Sequence, residues 1–351
     1  MSYPVKPVRR SIRRSIRQSA GSRPTPVQTR ILVSCLLVPL PPQTPVASTG
    51  RHSLRPITFL AAVGGLVLAG CSSGASSTPT SAPTTTIPPT TTTTEQPGWT
   101  PVSTVKGAIA VDSQAVTEPS GTVVSLYRFR VGKVTFGLHV GTTDPLRGTA
   151  VVPADSTSTI GPNEMPLLVS AFNGGFETNT GTGGFELNGQ TLVPLRVGYA
   201  SLVIDTDGSA RIGVWGQTVP TPGESVASVR QNLAPLVAKD VASPQIASIS
   251  AWGATLGGGS AVARSALGQD SSGNLIYAGS MSALPSDMAN ALISAGTVTG
   301  MELDINPAWV QLAYAGAPGA PLTAGIPGTH RPANQYQQGW TRDFVTVLAA
   351  R

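Results

Sequence analysis

A run of serine, threonine and proline over residues 72–97, SSGASSTPTSAPTTTIPPTTTTTEQP, is the feature that most limits how this chain can fold. It holds almost no apolar side chain to bury, so folding could not offset the conformational entropy lost on ordering it. Proline and β-branched threonine favour an extended backbone over a helix. We therefore predict an extended linker over residues 72–98 and a folded domain over residues 99–351.

The charge differs on the two sides of this linker. Ten of the 23 Lys and Arg residues but only one of the 17 Asp and Glu residues precede residue 99. The predicted domain therefore has a net charge of −3, although the whole chain has a net charge of +6. A nucleic-acid-binding protein carries its basic surface on the folded part. The charge distribution therefore argues against a nucleic-acid partner.

The cysteines and histidines exclude several kinds of site. Both cysteines, Cys35 and Cys71, precede the linker, so the domain has no internal disulfide, no thiolate metal site and no cysteine nucleophile. His139 and His330 are far apart, and neither has a carboxylate at the spacing of a metal-binding motif. We predict no metal and no cofactor, and expect stability to come from apolar burial, for which about 250 residues suffice.

The segment before the linker has the pattern of a bacterial export signal. Arg51 and Arg55 precede an uncharged, apolar run over residues 57–70. This run is shorter than the ~20 residues of a comfortable membrane span and is typical of a signal-peptide core. The sequence Leu-Ala-Gly-Cys that ends at Cys71 resembles the lipobox of bacterial lipoproteins. This resemblance implies a lipidated Cys71 that anchors the protein to the outer face of the cell membrane. The alternative is an ordinary cleaved signal peptide.

Residues 1–50 lie upstream of this signal peptide, which we assign to residues 51–71. A secretion signal rarely begins fifty residues into a chain. We therefore predict that residues 1–50 are an N-terminal extension, most of which the native product lacks, with translation starting near Arg51 to Leu54. Peptides from residues 1–50 in the unprocessed precursor would contradict this prediction.

Strand patterns dominate the first half of the domain, at residues 122–131, 133–140, 165–173 and 201–216. The first two alternate apolar and polar residues, and the short Gly132-Lys133 link between them predicts a hairpin. The third is a continuous apolar run, typical of a central strand. In the fourth, Asp207-Gly208 separates two strand patterns, which predicts another hairpin.

Helix patterns appear in the second half. Apolar residues at nearly helical spacing predict a helix over residues 224–237. Residues 284–296 predict another, with Ser286 as its N-cap and Gly296 as its terminator. Residues 297–305 then return to a strand pattern. Together these patterns predict a single α+β domain with a mixed, mostly antiparallel sheet and a few packed helices.

Three segments of the domain resemble, in order, the phosphodiester glycosidase family. They are AFNGGF at residues 171–176, GGGSAVARSALGQDSSGNLIYA at residues 257–278, and the helix followed by GMELDIN at residues 300–306. The family includes the lysosomal enzyme that removes N-acetylglucosamine from mannose-phosphate tags. The resemblance covers roughly residues 105–345, and the variant LDINPAW resembles an actinobacterial branch.

The resemblance implies hydrolysis of a sugar phosphodiester. Glycoside hydrolysis commonly uses two carboxylates, and arginine binds phosphate bidentately. We assign candidate catalytic residues by their match to the family motifs or their position beside them: Asp304, Arg264, Asn173 and Glu177. We assign Asn306 and Glu302 as candidate substrate-binding residues. In this scheme Arg264 holds the phosphate, Asp304 is the acid, base or nucleophile, and Asn173 orients the sugar. We expect these three to meet at one pocket.

The sequence departs from the family after Asp304. Ile305, Asn306 and Pro307 replace a glycine run. Glycine adds no side chain, whereas Pro307 fixes its own φ and restricts Asn306. Two hypotheses therefore remain. The first is an enzyme that hydrolyses a sugar-phosphodiester or envelope glycan linkage. The second is a non-catalytic glycan- or envelope-binding lipoprotein on the same scaffold. The expected partners are the membrane and a carbohydrate or sugar-phosphate ligand; the sequence indicates no protein partner.

Overall fold

The described part of the chain folds mostly as antiparallel β-sheet. A computed structural model gives the structure of residues 98–145, 157–253 and 258–351. The predicted N-terminal extension, the signal peptide with Cys71, and the linker up to residue 97 lie outside these ranges.

Within these ranges, strands and two α-helices follow one another along the chain. The strands are β1 (Thr100–Val105), β2 (Ala108–Thr117), β3 (Val123–Phe129), β4 (Val134–His139), β5 (Leu168–Asn173), β6 (Phe185–Leu187), β7 (Gln190–Val193), β8 (Ala200–Asp205), β9 (Ala210–Val214), β10 (Val226–Gln231), β11 (Val237–Ala238), β12 (Val241–Ala242), β13 (Val262–Asp270), β14 (Leu275–Ala283), β15 (Thr297–Glu302), β16 (Leu312–Ala315), β17 (Leu322–Ala324) and β18 (Phe344–Ala349). The α-helices are α1 (Pro285–Ser294) and α2 (Gln335–Gln338).

The strands form three sheets. The first has the order β1-β2-β3-β14-β13-β15-β11-β12, the second β7-β6-β10-β8-β9, and the third β17-β16-β5-β18-β4. The predicted α+β class with several packed helices is therefore wrong. The described residues are 43% strand and 10% helix, with two α-helices, which makes the fold β-rich.

The predicted helix over residues 224–237 accounts for part of this error. Those residues form β10 and β11 instead. Arg230, Gln231 and Asn232 are polar yet at most 1% exposed. Because polar side chains occupy interior positions, the apolar residues of β10 do not show the two-residue period of a strand. The remaining apolar positions imitate helical spacing.

The first sheet is buried on both faces. In β14, Leu275 and Tyr277 enter a core shared by all three sheets. Ile276 and Ala278, on the opposite face, enter a second core beneath helix α1. Since successive side chains of a strand point to opposite faces, the side chains on both faces of β14 must be apolar.

One of the two predicted hairpins is confirmed and the other is wrong. Strands β8 and β9 pair around Asp207-Gly208, with Ala200 opposite Val214. Strand β3, however, pairs with β2 and β14, while β4 pairs with β18 in the third sheet. Because both edges of β3 are occupied, the Gly132-Lys133 link carries the chain from one sheet to another.

Helix α1 confirms the predicted helix at residues 284–296 but not its cap. The N-cap is Leu284, whose backbone N–H donates to Asp287 Oδ2 at 2.8 Å. Pro285 follows at the first turn, and Gly296 ends the helix with a φ of +88°. Neither described α-helix is long and apolar enough to cross a membrane.

The candidate site lies where strand ends from two sheets meet. After β15 the chain continues to Asp304, whose carbonyl accepts the backbone N–H of Ser265 in β13 at 2.8 Å. After β5, the Gly174 N–H donates to the carbonyl of Asp343, just before β18, at 3.0 Å. These backbone contacts bring the 303–306, 174–177 and 342–343 segments together.

Candidate functional site

A cleft of about 460 Å³ opens at this junction. The side chains that carry its chemistry are Glu177, Asp304, Asn306, Trp309 and Arg342. They come from the segments after β5, after β15 and before β18, so one cleft collects residues that are distant in sequence.

Asp304 is a buried carboxylate that borders this cleft. It is 4% exposed, and its backbone N–H donates to Ser265 Oγ at 3.1 Å. Asp304 Oδ1 accepts the Asn306 N–H at 2.9 Å, and Oδ2 accepts Arg342 Nη2 at 3.3 Å. Burial raises the pKa of Asp304 to about 7, although Arg342 and the backbone N–H groups oppose the rise. Asp304 is therefore able to hold a proton near neutral pH.

Arg342 is the cation of the cleft. Its Nη1 donates to Glu177 Oε1 at 3.3 Å, and its Nη2 donates to the carbonyl of Gly175 at 3.0 Å. Its guanidinium lies 5.3 Å from the ring centre of Trp309, and its Nε is 3.7 Å from Asp144 Oδ2. One guanidinium thus connects two carboxylates of the cleft and an aromatic face. Sequence reasoning missed Arg342; its signal is the Arg-Asp pair directly before the apolar run of β18.

Glu177, predicted as catalytic, and Asn306, predicted as substrate-binding, also line the cleft. The Glu177 side chain is 46% exposed. The next residue, Thr178, is fixed because its backbone N–H and hydroxyl donate to Asp144 Oδ1 at 3.0 and 2.8 Å. Asn306 Oδ1 accepts the Ala308 N–H at 2.9 Å, so the side-chain carbonyl of Asn306 stabilises the turn after Asp304.

Arg264 and Glu302 form a sealed pair that does not line the cleft. They are 0% and 1% exposed, and Arg264 Nη1 lies 2.6 Å from Glu302 Oε1. Arg264 also donates to the carbonyls of Ala283 and Trp252 at 3.0 and 3.1 Å. Burial raises the pKa of Glu302 to about 8, although Arg264 opposes the rise. In the part of the chain that the structure describes, Arg264 is therefore enclosed and does not reach the cleft.

Asn173 lies beneath the cleft as well. Its Nδ2 donates to Ser265 Oγ at 2.8 Å, and its Oδ1 accepts the Tyr277 hydroxyl at 2.8 Å and the Gln311 N–H at 3.1 Å. Asn173 therefore positions Asp304 indirectly, through Ser265. Of the three residues expected to meet at one pocket, only Asp304 lines it; Arg264 and Asn173 do not.

The two glycines after Asn173 let other side chains pack directly against the backbone; they do not form a left-handed turn. Neither has a φ in the left-handed region. A Cβ on Gly174 would lie 1.8 Å from Asp343 Oδ2, and one on Gly175 would lie 3.0 Å from the Arg230 guanidinium. Arg230 Nε donates to Asp343 Oδ2 at 2.8 Å. The Asn-Gly-Gly sequence therefore makes room for a buried ion pair behind the cleft.

The histidines and acids do not form a metal site within the described ranges. No group of three or more His, Cys, Asp or Glu side chains there is arranged to hold a metal ion. His139 lies in another cleft, with its Nε2 3.1 Å from Glu164 Oε1, and His330 is exposed.

Comparisons with known proteins are limited to distant structural likenesses. No protein-family model matches the chain, and no curated protein matches it. The chain is similar to the catalytic domain of zebrafish N-acetylglucosamine-1-phosphodiester alpha-N-acetylglucosaminidase, auto-inhibited by its pro-peptide. The identity is 16%, the coverage is 72% of this chain and 88% of that one, and the TM-score is 0.46. It is also similar to a hypothetical protein from Synechocystis, at 13% identity, 71% and 64% coverage and a TM-score of 0.39. With both TM-scores below 0.5, neither likeness indicates a function for this chain.

Proposed function

We propose that this domain hydrolyses the glycosidic linkage of a sugar phosphodiester or envelope glycan in the cleft at Asp304. The observation that carries the proposal is the pair of carboxylates held by one guanidinium. Asp304 is buried and Glu177 is half-exposed, and Arg342 contacts both at 3.3 Å. Two carboxylates in different environments are the arrangement that divides acid and base roles in glycoside hydrolysis.

Each side chain then has a defined role. Asp304, whose pKa of about 7 favours a bound proton, donates to the leaving phosphate oxygen. Glu177, the more exposed carboxylate, acts as base or nucleophile at the anomeric carbon. Arg342 contacts the non-bridging phosphate oxygens, taking the role that the sequence suggested for Arg264. Trp309 offers the sugar an apolar face.

The reaction adds water across one bond. The bond between the anomeric carbon and the phosphate oxygen breaks, the sugar gains the hydroxyl, and the phosphate oxygen gains the proton. Because phosphate is a good leaving group, the proton from Asp304 contributes less than it would for an alkoxide. We therefore expect a moderate rather than complete dependence on Asp304.

The test is turnover of a chromogenic sugar-1-phosphodiester by the purified full chain. Asp304→Asn should lower kcat by about 100-fold. The matched control is Asp240→Asn, because Asp240 is exposed, lies outside the cleft, and has a φ of +59° that asparagine tolerates. No turnover by the unmodified chain, or equal loss in both variants, would reject the proposal.

The second candidate is a non-catalytic glycan-binding domain. It is favoured by the fact that both Asp304 oxygens are engaged, one by the Asn306 N–H and the other by Arg342. A carboxylate used in this way serves a turn and an ion pair without any reaction. Binding of a glycan that is never cleaved, measured by calorimetry and product analysis together, would favour this candidate.

We also propose that Cys71 is lipidated and holds the domain at the outer face of the cell membrane. The support is the Leu-Ala-Gly-Cys sequence after an apolar run, followed by the 72–98 linker as a tether. Metabolic labelling with a fatty-acid analogue should mark the protein and fail in Cys71→Ser. Labelling that persists in Cys71→Ser would reject the anchor.

A further inference from the structure

Arg331 is a cation without an acidic partner, placed beside the cleft. Its guanidinium carbon lies 5.7 Å from the ring centre of Trp309 and 5.1 Å from that of Trp340. Its Nε donates to the carbonyl of Ala308 at 3.1 Å. Among the described residues it forms no ion pair with a carboxylate. The two aromatic rings and the carbonyl hold the guanidinium while its outer N–H groups are available to a ligand.

Arg196 is a similar cation beside another segment of the cleft. Its Nη1 donates to the carbonyl of Gly181 at 2.7 Å, and its guanidinium lies 5.6 Å from the ring centre of Tyr199. Gly181 lies between Thr180 and Thr182, which both line the cleft. Arg196 is exposed and, in the described ranges, also lacks a carboxylate partner. Two arginines without a carboxylate partner in the described ranges therefore contact residues that line the cleft or lie next to its lining.

Most of the described arginines, unlike Arg196 and Arg331, have a carboxylate partner. Six other described arginines each pair with a carboxylate: Arg128, Arg130, Arg211, Arg230, Arg264 and Arg342. The predicted domain is net acidic, so two uncompensated arginines beside one cleft do not follow from a generally basic surface. Stacked guanidinium groups suit planar or tetrahedral anions, which they contact through two N–H groups.

At the floor of the cleft, by contrast, three carboxylates surround one arginine. The single positive charge of Arg342 is shared with Asp144, Glu177 and Asp304, at 3.7, 3.3 and 3.3 Å. A phosphate at the floor therefore depends on hydrogen bonds from Arg342 more than on net positive charge. A longer ligand that also reaches Arg196 and Arg331 gains attraction at its flanking groups.

We infer that the cleft takes an anionic glycan chain, with a phosphate or carboxylate on successive units, and that Arg196 and Arg331 bind the groups flanking the central one. The inference rests on the proposed site and deepens the proposed function by naming its substrate class. It assigns the two arginines to binding and specificity, not to the reacting bond.

The first experiment measures binding of the full chain by calorimetry to three hexamers. Oligo(glycerol phosphate) carries phosphates, oligogalacturonate carries carboxylates, and cellohexaose is neutral. We expect an anionic hexamer to bind at least about tenfold more tightly than cellohexaose, with affinity falling as salt rises. The anionic hexamer that binds more tightly identifies which anion the arginines favour. Equal affinity for charged and neutral hexamers would overturn the inference.

The second experiment removes the two arginines together. Arg196→Gln with Arg331→Gln should weaken the anionic hexamer about tenfold and leave cellohexaose unchanged. The matched control is Lys133→Gln with Arg351→Gln, which removes two exposed cations outside the cleft and should change neither affinity. An equal loss in both double variants would show a general charge effect and overturn the inference.

The two proposals fail in different ways. Turnover of a small sugar-1-phosphodiester by the unmodified chain tests the hydrolase proposal, whereas binding of the hexamers to the same chain tests the anion subsites. If nothing is turned over but the anionic hexamer binds through these arginines, the hydrolase proposal fails and the subsite stands. If the small substrate is turned over but anionic and neutral hexamers bind alike, the hydrolase stands and the subsite fails.

Discussion

Two buried arginine–carboxylate pairs lie at the end of β15, and they differ in what surrounds them. Arg264 and Glu302 are at most 1% exposed and are enclosed by strands, a helix and backbone carbonyls. Arg342 and Asp304 are 5% and 4% exposed and border a cleft. Glu302 is the last residue of β15, whereas Asp304 lies two residues beyond the strand. A shift of two residues along the chain separates an ion pair that serves the fold from one that is available to a ligand.

The two pairs should differ most in how much each contributes to the stability of the fold. Arg264→Met leaves Glu302 and the carbonyls of Ala283 and Trp252 without their donor in a dry interior. This should lower the free energy of unfolding by about 3–5 kcal/mol. Arg342→Met should cost less than about 2 kcal/mol, since the carboxylates it leaves can be hydrated from the cleft. Urea unfolding measures both, and equal losses would remove the distinction between the pairs.

The next effect concerns turnover. Asp304→Asn should lower kcat for a sugar-1-phosphodiester by about 100-fold. Glu302→Gln, assayed at a temperature where it remains folded, should stay within about twofold, because no substrate can reach Glu302. A large loss of kcat in a well-folded Glu302→Gln variant would place the sealed pair in the reaction and contradict this comparison.

The pH dependence of stability should reveal the sealed pair. The pKa of Glu302 is raised from 4.5 to about 8, so the folded state holds its proton more tightly than the unfolded state. Stability is then highest at pH values below the unfolded pKa and falls as pH rises from about 4.5 to about 8. Glu302→Gln should show a shallower fall in unfolding experiments across this range. An identical slope would mean that Glu302 does not titrate there.

The pH dependence of kcat should reveal the pair at the cleft, Arg342 and Asp304. If protonated Asp304 is the acid, kcat falls about tenfold per pH unit above a midpoint near its pKa of about 7. Arg342 lowers that pKa, so Arg342→Met should move the midpoint to higher pH while weakening substrate binding. A midpoint that stays in place in this variant would show that another group controls the profile.

The smallest effect should come from the aromatic residues beside each pair. Trp309 lines the cleft, whereas Trp252 is 1% exposed beside Arg264. Trp309→Leu should weaken glycan affinity by a factor of about three to five, the loss of one stacking face. Trp252→Leu should lower stability and leave the affinity of the folded protein unchanged. Titration calorimetry of both variants makes the comparison.

The sequence was sufficient where a local pattern decides the structure. An apolar run that ends in a carboxylate marked Asp304, and the structure places that side chain at a cleft. Asp207-Gly208 between two alternating segments marked a hairpin, which β8 and β9 form. Both signals lie within a few residues, so no tertiary information was needed.

The sequence was insufficient where partners are distant along the chain. The Arg-Asp pair before the apolar run of β18 is a local signal for Arg342, but its contact with Asp304 depends on β18 entering the third sheet beside β5. The buried pair of Arg230 and Asp343 joins segments 113 residues apart and places charged groups where a polar sequence pattern would indicate surface. The same burial of polar side chains made β10 resemble a helix.

The position of β18 also determines when the cleft can form as the chain emerges. Strand β18 lies between β5 and β4, and Arg342 and Asp343 directly precede it. Whether the chain emerges from the ribosome or across a membrane, β5 emerges about 170 residues before β18, and chains begin to fold before they are complete. During that interval β4 lacks its partner β18, and β5 lacks β18 and, until residues 312–315 have emerged, β16 as well, which leaves strand edges open to other chains. A growing chain therefore cannot bind substrate through Arg342, and it must be kept from aggregating until residues 342–349 have emerged.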